Sequence, residues 1–288
     1  MTFTYGLSLT GLSHKDTGAS CQDAHQIVRL PNRWILAAVA DGVGSSANAD
    51  VASKLAVATA AKFIQDNLPS KWNNDNLKAL IQVGFYKASE AVAEEAEKNS
   101  CELSDYETTL TLFINNGGTI VYGHVGDGGI IGLTHSGDYV PVTSVQKGEE
   151  YNVVVPLSAG ASKWIIDDSE EEFCSLLLLT DGLLDVMQPP LLKGDIYVRF
   201  AQQFMDNGIM NITETTADDV ENAIHDFLES ESCRSITDDK TIVGIVNTDV
   251  VPARKGEDYY QEPDWEQLRN EQDRKLYPYL YDEQSRDL

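Results

Sequence analysis

Short apolar runs recur along the chain, separated by polar and glycine-containing segments. Trp34–Ala40, Leu110–Ile114, Thr119–Val125, Ile130–Leu133, Leu176–Thr180 and Ile242–Asn247 have the length and β-branched content of strands. A further strand contains Ile27 and Val28. Asn115-Asn116-Gly117-Gly118 separates two of these runs and predicts a hairpin turn, since Asn and Gly accept the positive φ such turns need. Leu176-Leu177-Leu178-Leu179 shows no alternation, which predicts a strand buried on both faces. Two long helices are predicted between the first strand and the hairpin. One runs from Asn48 to Asp66, with Val51, Leu55 and Ala58 as its apolar stripe. The other runs from Asp75 to Lys98, with Leu77, Ile81, Ala88 and Val92 on one face. Two later helices are predicted at Leu192–Met205 and Ala217–Glu229.

This order, with hairpin-linked strands, predicts antiparallel sheets rather than βαβ crossovers. The expected class is α+β: an antiparallel β-sandwich flanked by helices on both sides. Residues 1–250 form the expected domain. Residues 251–288 are the expected appendage; from Lys255 to Leu288 the chain is polar, acidic and rich in tyrosine, with Pro263 and Pro278. That composition fits a short helical addition or a tail. Its aromatic residues Tyr259, Tyr260, Trp265, Tyr277, Tyr279 and Tyr281 are expected to pack on their own domain.

Composition narrows the function. The 288 residues suffice for a sizeable core, with hydrophobic residues at 42%. The formal net charge of -25 repels a phosphate backbone, which argues against nucleic acid as a direct partner. Carboxylates instead collect hard cations such as Mg²⁺, Mn²⁺ and Ca²⁺. Cys21, Cys101, Cys174 and Cys233 are far apart and form no C-x-x-C pair, so neither a zinc site nor a redox dithiol is expected. They read as the reduced thiols of a cytoplasmic protein. Met1–Ser13 lacks the pattern of a secretory signal, and no apolar stretch approaches the roughly 20 residues of a membrane span.

Aspartates recur at the ends of the apolar runs. Trp34–Ala40 leads into Asp41-Gly42-Val43-Gly44, Thr119–Val125 into Gly126-Asp127-Gly128, and Leu176–Thr180 into Asp181-Gly182. Asp238-Asp239-Lys240-Thr241 precedes the final strand, and Gln22-Asp23 precedes the strand of Ile27. One Asp-Gly pair is an ordinary turn dipeptide. Several at strand ends place carboxylates in one cleft, where they repel each other unless cations neutralise them. Mg²⁺ and Mn²⁺ suit carboxylate and water oxygens.

The ordered set Cys21-Gln22-Asp23-Ala24-His25, Ala40-Asp41-Gly42-Val43-Gly44, Val125-Gly126-Asp127-Gly128, Leu179-Thr180-Asp181-Gly182-Leu183 and Asp238-Asp239-Lys240-Thr241 resembles the motif series of the type 2C, metal-dependent protein phosphatases. Tyr106-Glu107-Thr108-Thr109 is similar to that family's Thr-Thr strand start. The resemblance spans Tyr5 to Val246 and implies a β-sandwich flanked by helix pairs, as found in bacterial members. It implies a serine/threonine phosphatase using two Mn²⁺ or Mg²⁺ ions, with a third, weaker ion in many members. Asp41 would bridge two metals and the Gly42 carbonyl would ligate one. Asp181 and Asp238 would hold the first metal, Asp23 would act through water, and Asp127 would help hold the third. Two cations about 3.5–4 Å apart would acidify a shared water that attacks phosphorus in line. The implied partners are phosphorylated proteins, including a Ser/Thr kinase or its targets.

Three positions depart from the family pattern. Gln22 stands where many members have Glu, and Val43 where some carry a histidine proposed as general acid. Gly18 stands where the family places an arginine that grips substrate phosphate; His14 and Lys15 are the candidate substitutes. His25 and Cys21 lie beside the motif and are expected to be packing residues. No cysteine sits in a C-x₅-R arrangement, which argues against a cysteine-dependent mechanism. The competing expectations are a pseudophosphatase acting as a regulatory module and a small-molecule phosphoester hydrolase.

Overall fold

A computed structural model of the chain describes residues 2–116, 119–146, 154–210, 212 and 214–278. Ten strands and eight α-helices are found among these residues. In chain order they are β1 (Thr2–Leu9), α1 (Leu12–Thr17), β2 (Asp23–Arg29), β3 (Ile35–Asp41), α2 (Ala49–Asp66), α3 (Asn74–Lys98), β4 (Leu110–Asn115), β5 (Ile120–Val125), β6 (Gly129–Thr134), β7 (Tyr139–Pro141), β8 (Ile165–Ser169), β9 (Phe173–Leu179), α4 (Asp181–Met187), α5 (Val198–Met205), α6 (Asn207–Met210), α7 (Ala217–Leu228), β10 (Lys240–Asn247) and α8 (Trp265–Leu276).

The strands form two five-stranded antiparallel sheets, ordered β1-β10-β9-β6-β7 and β2-β3-β4-β5-β8. Their facing sides bury Val39, Phe113, Phe173, Leu178, Val243 and Ile245 between them. Outside the second sheet, α2 and α3 cover Leu36, Leu112, Ile114 and Val121. Outside the first sheet, α4, α5 and α7 cover Leu177, Leu179 and Ile242. The result is the antiparallel sandwich flanked by helices that the element order predicts. Every residue from Leu176 to Leu179 is buried, as a central strand with apolar material on both faces requires. β4 and β5 pair with Asn115 opposite Ile120, as a hairpin would place them. The turn residues Gly117 and Gly118 lie outside the described residues.

Two helical expectations need correction. In α2 the buried face is Ala52, Ala56, Val57, Ala60 and Ile64, whereas Val51 is exposed. The small alanines face inward because α2 lies close against α3 and the β2–β3 ladder, where larger side chains would not fit. The helix expected from Leu192 begins only at Val198. Lys193 (φ 56°) and Gly194 (φ 101°) hold left-handed backbone, which an α-helix cannot contain. In α3 the predicted Leu77, Ile81, Ala88 and Val92 are all buried.

The tyrosine-rich segment folds back on the first sheet and its helices. The Tyr139 amide donates to Tyr259 Oη at 2.9 Å, and Lys255 pairs with Asp138 at 2.8 Å. Trp265 packs edge-on against Tyr197, whose hydroxyl donates to Glu262 at 2.5 Å. Tyr279 and Tyr281 lie outside the described residues. No helix among the described residues is long and apolar enough to cross a membrane.

Candidate metal centre

Asp23 opens β2 and Asp41 closes β3, and the two are direct partners in the antiparallel ladder. Register alone therefore sets one carboxylate beside the other at the same end of the sheet. The Asp41 backbone is locked by the Thr108-Thr109 step. The Asp41 amide donates to Thr109 Oγ1 at 2.9 Å, and its carbonyl accepts from Thr109 N at 2.8 Å and Thr108 Oγ1 at 2.9 Å. Gly42 sits against the start of α2, where a Cβ would fall 2.5 Å from the Ala49 carbonyl oxygen. No other residue fits that approach.

Asp181 is the first residue of α4, directly after β9, rather than a turn residue. Thr180, just before it, donates its hydroxyl to Asp23 Oδ2 at 2.7 Å and accepts from the Thr241 amide at 3.1 Å. This threonine ties β9, β10 and β2 together at the rim. A Cβ on Gly182 would lie 2.1 Å from the Asp239 carbonyl oxygen, so the Asp181-Gly182 step can abut the Asp238-Asp239 segment only because Gly182 has no side chain.

Asp41, Asp127 and Asp181 each bring one carboxylate oxygen within 4.8 Å of the others. Burial pushes Asp41 well above the usual carboxylate range, and the charges of Asp23, Asp181 and Asp127 push it further. Asp181 is raised by burial and then by the charge of Asp238. Asp23 is pushed up to about 7, first by burial and against the lowering effect of the Thr180 and Thr241 hydrogen bonds. Such a cluster is costly as bare anions and fits a divalent cation that supplies the opposing charge. Asp238 lies beside Asp181 but outside the close trio; its Oδ1 accepts from the Asp239 amide at 2.8 Å.

The sequence reading gave no role to Asp239, and nothing in an Asp-Asp pair says which member turns inward. It is 3% exposed, and its carboxylate accepts from the Gly11 and Gln22 amides, both at 2.6 Å. His14 Nδ1 lies 2.9 Å from the same carboxylate. Asp239 thus pins the α1 loop against the rim. Lys15 points elsewhere, to Glu229 just past the end of α7, at 2.5 Å. His25 contacts Ser8 Oγ at 2.8 Å and is a structural histidine. Burial and the charges of Asp23 and Asp239 push the Cys21 thiol up to about 12, which keeps it protonated.

The family model for protein phosphatase 2C matches residues 10–229. The chain belongs to the protein phosphatase 2C family. Protein phosphatase 2C enzymes are metal-dependent hydrolases, in keeping with the acidic cluster. A search of curated proteins gives no match. Among solved structures, the Mycobacterium tuberculosis serine/threonine phosphatase PstP/Ppp superposes with a TM-score of 0.60 at 19% identity, covering 85% of this chain and 98% of that one. The Staphylococcus aureus serine/threonine phosphatase Stp1 superposes at 0.58 with 14% identity, covering 85% and 95%. The catalytic domain of PstP in complex with two manganese ions superposes at 0.57 with 19% identity, covering 85% and 97%. At these identities the likeness is one of fold.

Proposed function

We propose that this protein phosphatase 2C member is a metal-dependent serine/threonine phosphatase that hydrolyses phosphoserine and phosphothreonine in cytoplasmic proteins, including a kinase or its targets. The observation that carries this reading is the convergence of Asp41, Asp127 and Asp181 at one end of the sandwich. Asp41, the Gly42 carbonyl, Asp181 and Asp238 would hold two Mn²⁺ or Mg²⁺ ions, with Asp127 toward a third and Asp23 acting through water. When bound, the ions supply Lewis-acid charge and an acidified water for attack on phosphorus. The chain's own contribution is positional. Thr108 and Thr109 fix the Asp41 backbone, and Thr180 fixes Asp23. His14, beside Asp239, is the side chain we assign to the substrate phosphate; Lys15 would serve only on leaving Glu229. Residues 1–250 are the catalytic domain in this reading and residues 251–288 its appendage, of which Lys255, Tyr259 and Trp265 brace the first sheet and its helices.

The test is turnover of p-nitrophenyl phosphate, phosphopeptides and nucleotides, with and without Mn²⁺, in wild type and Asp181→Asn. Loss of one ligand charge should lower metal-dependent turnover by about 10³-fold or more while circular dichroism stays unchanged. Wild-type-like turnover in the variant at every Mn²⁺ concentration would remove Asp181 from the ligand set. Turnover confined to nucleotides would replace the protein substrate with a small molecule. No turnover on any substrate would leave a binding module.

A further inference from the structure

A cavity of about 260 Å³ opens behind the first sheet, lined by Leu12, Leu228, Glu229, Cys233, Arg234 and Lys240 among others. It is separate from the carboxylate cluster. Side chains alternate along β10: Val243 and Ile245 face the second sheet, while Ile242 faces the helical layer. Thr241 turns to the rim, where its hydroxyl donates to Ser8 Oγ at 2.7 Å. Lys240, on the opposite face, points to the α7 side.

Lys240 is 2% exposed. Its ammonium carries three donors. One reaches the Ile236 carbonyl oxygen at 3.4 Å, and the nearest carboxylate oxygen, Glu229 Oε1, is 3.9 Å away. Glu229 is already committed, because its other oxygen is 2.5 Å from Lys15 Nζ. A buried cation ordinarily has a close partner. Lys240 has a long hydrogen bond, a distant and shared counter-ion, and a cavity in front of it. Arg234 supplies a second cation at the wall. Its partner Glu231, at 3.3 Å, is mostly exposed, as Arg234 is, so that pair is weak and free to swing apart. Glu229 can stay on Lys15 while Glu231 leaves. The volume equals that of roughly nine waters at ~30 Å³ each, enough for a small hydrated anion.

We propose that this cavity is an oxyanion site, which takes a phosphate or carboxylate group between Lys240 and Arg234. Because Lys240 directly follows Asp238 and Asp239, the bound anion sits behind the segment that shapes the rim. The site does not depend on the phosphatase reading, and metal-free protein serves to test it.

The experiment is isothermal titration of inorganic phosphate, and separately of acetate, into the EDTA-treated full chain. Wild type and Asp181→Asn should bind phosphate equally. Lys240→Met and Arg234→Gln should each weaken that binding by about tenfold or more, Lys240 as the desolvated partner of the anion and Arg234 as the second cation that closes on it. Acetate binding with the same dependence assigns the site to carboxylates as well; its absence assigns it to phosphate. No binding of either anion by wild type would mean that water alone fills the cavity and would overturn the proposal. Wild-type phosphate affinity in the two pocket variants, or loss of binding in Asp181→Asn, would also overturn it. Should circular dichroism show that Lys240→Met does not fold, the mostly exposed Arg234→Gln decides the matter.

Discussion

Ala52, Ala56, Ala60 and Ala61 let α2 lie close to α3 and to the second sheet, whereas the opposite flank is filled by Phe200, Phe204 and Phe227 in mutual ring contact. The first flank is two long helices, 18 and 25 residues, whose own repeat carries a buried stripe. The second consists of short helices that need the sheet beneath them. The Tyr5 hydroxyl donates to the Phe204 carbonyl at 2.6 Å, and Ser175 Oγ to the Met205 carbonyl at 2.7 Å, so the end of α5 is fastened by the strands it covers. The carboxylate cluster draws on both flanks. Gly42 abuts the start of α2, and Asp181 is the first residue of α4. Metal binding in the proposed function therefore joins a self-supporting half of the molecule to a dependent one.

The largest effect that can break this contrast comes from the cores. Phe85→Ala on the first flank and Phe204→Ala on the second should each cost about 3–5 kcal/mol in urea denaturation, since both rings are fully buried. Hydrogen exchange should separate them. Phe204→Ala is expected to release α5 and α7 while α2 and α3 keep their protection. Equal loss of protection on both flanks would show that the second is no more dependent than the first.

A smaller effect concerns the rim where the flanks meet. Asp23 is raised from 3.8 to about 7 in the folded state, chiefly by burial. Below the unfolded value both states are protonated, and the stability this group contributes is fully present. It is lost as pH rises through the folded value, because the folded chain must then hold a buried anion. His124 acts in the opposite sense. Burial lowers it to about 4, so its contribution is present above 6.5 and falls away as the unfolded state takes up protons on the acid side. The difference between Mn²⁺-loaded and metal-free protein isolates the rim. Mn²⁺ should raise Tm more at pH 8 than at pH 5, by at least about 2–4 °C, which corresponds to about 1 kcal/mol for a chain of this size. A Tm increment independent of pH would argue that no rim carboxylate changes protonation on metal binding.

The smallest effect is a control on the first flank. Lys62 pairs with Asp66 one turn along α2, and both are mostly exposed. Lys62→Ala should change stability by about 0.5 kcal/mol or less. A loss several times larger would mean that α2 relies on surface ion pairs rather than on its alanine stripe.

The long helices and the central strands were legible in the sequence because their patterns are local. The face of α2 was not, since choosing alanine over Val51 as the buried side depends on how near α3 lies. β8 escaped notice because Asp167 and Asp168 make it read as a loop; it is an edge strand, and both aspartates pair with Lys78 of α3. β1 alternates Phe3, Tyr5, Leu7 and Leu9, but its pairing with β10 spans nearly the whole domain.

Primary structure is enough to show that aspartates end the apolar runs, that glycines follow three of them, and that their order matches protein phosphatase 2C. Residue type and spacing along the chain suffice for that. Which carboxylates meet depends on how the chain folds. Asp41, Asp127 and Asp181 come from separate segments brought together by the β3–β4–β5 ladder and the packing of the two sheets. The two members of the Asp238-Asp239 pair part company for the same reason. One lies beside Asp181, and the other turns inward to hold the backbone of Gly11 and Gln22. The inward turn of Asp239 is set by neighbours more than 200 residues away in the chain, and no local pattern encodes it.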